Sequence, residues 1–93
     1  MKYLKCEWIH NFIDEPSLFY SELDDARYET RKIEIYKDGR IGYAYDDIEF
    51  GGSRLSECAV PVIEEINKDP EFVACEMTAD EFNAVWEEIT NKF

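Results

Sequence analysis

Basic residues are scarce in this 93-residue chain, where 10 Lys and Arg stand against 22 Asp and Glu for a net charge of −12. Such a surplus repels nucleic-acid phosphates and anionic lipid headgroups, so DNA, RNA and membranes are poor ligands and a basic protein partner is the better match. Cysteine is also sparse. Cys6, Cys58 and Cys75 are odd in number and form no C-x-x-C, which argues against a disulfide framework or a zinc knuckle and suggests buried free thiols. Histidine occurs once, at His10, and the 4 glycines form no phosphate-binding loop. No apolar run approaches the roughly 18 residues of a membrane span. Met1 to Lys5 lack the apolar stretch of a signal peptide, so the expected compartment is the cytoplasm.

What is present is apolar bulk. The chain is 45% hydrophobic and 15% aromatic, enough to fold without staples although a chain this size buries only about 60 to 65% of its extended surface. Its length suits one domain, and residues 1–93 read as a single α+β domain.

Residues 3 to 10 alternate with the period of a strand, and 11 to 16 carry turn residues that end it. A second strand is expected over Leu18 to Leu23, then a polar connection, Asp24 to Arg27. Tyr28 to Lys37 and Arg40 to Asp46 flank Asp38-Gly39, which signals a hairpin with a two-residue turn. That turn would pair Tyr36 with Ile41 and Ile33 with Ala44, setting Ile33 and Ile35 against small residues while Tyr36, Tyr43 and Tyr45 share the other face. Pro61 suits the start of a short helix that Asp69-Pro70 ends, and residues 72 to 77 suit another strand. Thr78-Ala79-Asp80-Glu81 is a capping box, after which Phe82, Val85, Trp86, Ile89 and Phe93 form one stripe of an amphipathic helix. The expected fold is therefore α+β, an antiparallel sheet of about four to five strands, with a short helix and a C-terminal amphipathic helix packed on one face.

Acid is concentrated towards the C-terminus. Residues 57 to 93 hold 10 acids and 2 bases, and Glu64, Glu65, Asp80, Glu81, Glu87 and Glu88 fall off the apolar stripes of the two helices. A charged helix face is usually only solvated; here the alternative is a docking surface for a cationic partner. Tyr36, Tyr43, Tyr45 and Arg40 form a second candidate, a recognition patch of residue types that carry hot spots. A third groups Trp8, His10, Asp14 and Glu15, where His10 oriented by a carboxylate would serve as a general base or ligand; against it, a strand-end histidine more often satisfies its ring nitrogens locally. Cys6, His10 and Cys75 could approach one another as zinc ligands, but Trp8 projects among them and core packing is the better account. Asp24-Asp25 and Asp46-Asp47 are too short to specify calcium. No metal, cofactor or catalytic residue is assigned.

Trp8 to Pro16, Arg31 to Ala44 and Glu64 to Phe72 together resemble a family of short bacterial proteins known only as a domain of unknown function. The resemblance spans nearly the whole chain and implies a bacterial, cytoplasmic, single-domain protein without an assigned activity. In size and charge alone the chain is also similar to the immunity proteins that neutralise polymorphic toxins. The function expected from these features is non-enzymatic: binding and blocking a basic toxin or nuclease domain, as a monomer or weak homodimer. The alternatives are an enzyme-like domain using His10, Asp14 and Glu15, and a structural module that dimerises through the tyrosine face.

Overall fold

The computed structural model describes residues 1–92. Phe93, expected to extend the apolar stripe of the last helix, lies outside them. Alternating side chains and short polar turns produce strands β1 (Lys2–Trp8), β2 (Leu18–Leu23), β3 (Glu29–Ile35), β4 (Ile41–Tyr45) and β5 (Ile48–Phe50). Helix α1 (Ile63–Ile66), β6 (Phe72–Glu76) and helix α2 (Ala79–Lys92) follow. All six strands form one antiparallel sheet in the order β5-β4-β3-β2-β1-β6. The additional strand is β5. It is three residues long, behind a turn in which Asp46 takes φ 50°, and so short a run shows no periodicity in sequence.

The hairpin corrects the expected register by one residue. Its loop has three residues: the Tyr36 N–H donates to the Arg40 carbonyl at 3.0 Å and the Gly39 N–H to the Tyr36 carbonyl at 3.0 Å. Only Gly39, at φ 91°, occupies the left-handed region, and the Asp38 carboxylate accepts from the Arg40 backbone N–H at 3.1 Å and from Arg40 Nε at 2.8 Å. This is the three-residue hairpin with glycine at its left-handed position, and Asp38 stabilises it over the two-residue turn. Ile33 consequently faces Tyr43, and Ile35 faces Ile41. A one-residue slip reverses which side of the sheet β4 presents. Tyr43 and Tyr45 therefore share a face with Ile33, while Gly42 and Ala44 line the opposite one.

On the first face lies α2. Its capping box forms as expected, with the Glu81 N–H donating to Thr78 Oγ1 at 3.1 Å and the Thr78 N–H to Glu81 Oε1 at 2.9 Å. Phe82 is fully buried, its ring 5.2 Å from that of Tyr3, and Trp86 meets Tyr43 and Tyr45 edge-on at 5.7 and 5.3 Å. Beneath the helix Glu22 accepts from Arg31 Nε at 2.9 Å, Arg31 Nη2 at 2.6 Å and the Thr30 hydroxyl at 2.7 Å. Arg31 also donates to Asn83 at 2.8 Å and lies 4.8 Å from the Phe82 ring centre, so one ion pair fastens helix to sheet.

The other face is covered by the segment from Gly51 through α1. Buried Ser53 packs so close to Gly42 that a Cβ there would lie 2.1 Å from the Ser53 Oγ. Arg27 donates to the carbonyls of Val60 and Pro61, both at 2.8 Å, and buried Glu29 accepts from Ser21, the Ser56 N–H and Lys32. Among the cysteines Cys6 is half-buried, but Cys58 and Cys75 are exposed, contrary to the expectation of three buried thiols. Cys6 pairs with Ala74 and Cys75 with Lys5, so the two thiols point to opposite faces and do not assemble with His10 into a soft-ligand set.

Candidate functional site

Between β1 and β2 the chain makes a short excursion whose ends are held by backbone bonds, Trp8 N–H to the Ser17 carbonyl at 2.9 Å and Ile9 N–H to the Glu71 carbonyl at 2.7 Å. Within it His10 is 8% exposed. Its Nε2 donates to the Pro16 carbonyl at 2.9 Å, since a carbonyl can only accept, and Nδ1 accepts from the Phe12 N–H at 2.9 Å. The ring is therefore a neutral imidazole that braces the loop from inside. From outside, the Lys37 ammonium donates to the His10 carbonyl and Arg40 Nη2 to the Ile13 carbonyl at 2.6 Å.

This bracing fixes two large apolar side chains in water. Phe12 is 60% exposed and Ile13 68%. Scattered apolar residues on a surface are ordinary, but two adjacent ones on a loop held at four points form a defined projection. Behind them runs an aromatic row: His10 lies 5.4 Å from Phe12 and 4.2 Å from Trp8, and Trp8 stacks on Phe72 at 5.8 Å. Exposed Asp14 and Glu15 edge the projection, with Arg40 at 3.9 Å from Asp14 and 4.5 Å from the Tyr36 ring centre.

The structure thus joins two groups that the sequence left apart and divides two that it put together. Trp8, His10, Asp14 and Glu15 share one end of the molecule with Tyr36 and Arg40. Tyr43 and Tyr45 are separated from Tyr36 by the register and lie half-buried against Trp86. The acidic helices separate as well, because α1, bearing Glu64 and Glu65, and α2, bearing Asp80, Glu81, Glu87 and Glu88, cover opposite sides of the sheet. Glu65 pairs with Lys68 at 2.9 Å, Glu88 with Lys92 at 3.1 Å, and Glu81 caps its own helix. The six acids do not form a single patch, which corrects the expectation of one helical acidic surface.

With both His10 nitrogens engaged, the ring holds no free lone pair for a substrate proton. The most perturbed carboxylate, Glu22, has its pKa lowered to about 2, first by its hydrogen bonds from Arg31. It lies under α2 with its oxygens engaged, and holds the fold together. Among the described residues no group of three or more His, Cys, Asp or Glu could hold a metal ion, and no helix is long and apolar enough to cross a membrane.

The profile of the family described as a domain of unknown function (DUF6881) matches residues 2–91. The chain belongs to this family. The match includes the braced loop, the hairpin and all of α2 except Lys92. No curated protein and no solved structure matches the chain.

Phe12 and Ile13 are the site residues that sequence reasoning passed over. The available signal was their position: two large apolar side chains in a run of turn residues, where neither strand nor helix periodicity assigns them to a core.

Proposed function

We propose that this domain is a non-catalytic, cytoplasmic interaction module that docks a basic protein and blocks it, in the manner of an immunity protein bound to a toxin or nuclease domain. The observation that carries this reading is the braced loop exposing Phe12 and Ile13 beside Asp14 and Glu15. Apolar anchors held in one conformation lose little entropy on binding, and a charged margin favours partners of opposite sign. The net charge of −12 supports the same reading, since such a field accelerates encounter with a cation by ~10- to 1,000-fold at low salt.

Extension of the sheet into a homodimer is disfavoured at β6. The Asn67 side chain donates to the Ala74 carbonyl at 3.0 Å and accepts from the Ala74 N–H at 2.7 Å, taking both outward groups of the residue at the middle of the edge strand. To test the reading, a protein retained from native lysate on the immobilised domain is identified and purified, and its dissociation constant is measured at low and high salt. A basic partner whose affinity falls at least ~10-fold with salt and with Phe12→Ala/Ile13→Ala supports the proposal. A neutral or acidic partner, or binding indifferent to both changes, overturns it.

A further inference from the structure

The aromatic row that begins at Phe12 continues across the α1 side of the sheet into a cleft. Cys6, Phe19 and Phe72 line it from β1, β2 and β6, Val60 and Ile66 line it from the covering segment, and it is an open groove of about 360 Å³. That volume is at the lower end of the ~300 to 1,000 Å³ of ligand pockets, a size for one long side chain. Its base is polar and already satisfied, because Glu29 accepts from Ser21, the Ser56 N–H and Lys32. The remaining charge of the lining is at the mouth, where Glu65 and Asp69 are exposed four residues apart in sequence.

An open apolar groove edged by exposed carboxylates suits a particular occupant. An anionic side chain would be repelled, and a purely aliphatic one would take water from the carboxylates without returning a hydrogen bond. A lysine or arginine side chain laid across the groove sets its methylenes on the apolar walls and its terminal cation at the exposed carboxylates of the rim, in contact with water. Lys68 pairs with Glu65 at 2.9 Å, an exposed contact that an incoming cation can displace.

We propose that this cleft receives a lysine or arginine side chain of the basic partner, its methylenes against Phe19, Ile66 and Phe72 and its cation at Glu65 and Asp69. The inference rests on the interaction reading above and names the chemistry by which the partner is recognised.

The test needs no partner. N-acetyl-arginine amide and, as its uncharged counterpart, N-acetyl-norleucine amide are titrated into the full chain at low salt while backbone amide resonances are followed by NMR. The arginine compound is expected to shift Val60, Ile66 and Phe72 saturably with a dissociation constant on the order of millimolar. The norleucine compound should bind several-fold more weakly. Asp69→Asn is expected to weaken the arginine compound by about 2- to 5-fold, and Lys68→Ala, which frees Glu65, to tighten it by a similar factor. Both positions are exposed, and thermal unfolding of each variant checks that the fold is intact. Shifts that do not saturate, equal binding of the two compounds, or affinities unmoved by both substitutions overturn the proposal. If the titration fails while Phe12→Ala/Ile13→Ala still abolishes partner binding, the cleft falls and the interaction reading stands; if the titration succeeds and no basic partner binds, the preference of the groove for a cationic side chain stands, and the interaction reading falls together with the partner as its source.

Discussion

Replacing Glu22 by Gln should remove a defined part of the acid sensitivity of this fold. In the native state Glu22 has a pKa of about 2 against an ordinary 4.5, lowered first by hydrogen bonds from Arg31, opposed by burial, and lowered further by Thr30 and Tyr3. A difference of this size corresponds to about 3 kcal/mol. Because the native pKa is depressed, the contribution is fully present above the unfolded value and is lost as pH falls through the native one. The loss should therefore run from about pH 4.5 down to about pH 2. In Glu22→Gln this pH-dependent contribution is absent, and at pH 7 the Arg31 charge remains half-buried beneath Phe82 and Trp86. The variant should be less stable than the parent by about 3 kcal/mol at pH 7 and should converge on it towards pH 2. Urea unfolding followed by helical circular dichroism, at half-unit steps from pH 7 to 2.5, measures the difference and cancels the carboxylates common to both chains. Parallel profiles below pH 4.5, or a difference under 1 kcal/mol at pH 7, would refute the assignment of Glu22 and Arg31 as the fastening of α2.

Trp86→Ala should cost ~3 to 5 kcal/mol in the same unfolding assay, because it removes the ring that Tyr43 and Tyr45 meet edge-on; a cost below 1 kcal/mol would mean that the helix face is weakly packed. His10→Ala leaves the Pro16 carbonyl and the Phe12 N–H without their partner, and should cost ~1 to 3 kcal/mol while accelerating hydrogen exchange at the Phe12 amide. Unchanged exchange there would show that the imidazole does not brace the loop. Asn67→Ala uncovers the outward groups of Ala74, and light scattering over a concentration series should detect self-association absent from the parent. A variant that stays monomeric throughout would show that Asn67 is not what closes this edge.

The elements written in local periodicity were legible before the structure. The capping box of Thr78 and Glu81 formed as read, and the stripe of Phe82, Val85, Trp86 and Ile89 sits on a 14-residue helix. Leu18 to Leu23 forms a strand over those same residues. These features depend on neighbours one to four positions apart, which any reading of the chain can see. The hairpin depended on more than its turn dipeptide, because its loop has three residues and the register that results places Tyr43 and Tyr45 against Trp86.

By itself the sequence determined an acidic α+β domain with an antiparallel sheet and a capped C-terminal helix, because composition and short-range patterning are sufficient for those properties. Only the tertiary structure decided that the two acidic helices lie on opposite sides of the sheet, that Lys37 and Arg40 brace the loop through the His10 and Ile13 carbonyls, and that Phe12 and Ile13 stand exposed. Each of these follows from contacts between residues distant in the chain or from carbonyl groups in a loop, such as the 27-residue step from Arg40 back to the Ile13 carbonyl. Hydrogen bonds to backbone carbonyls have no side-chain signature, so no pattern of residues could have announced them.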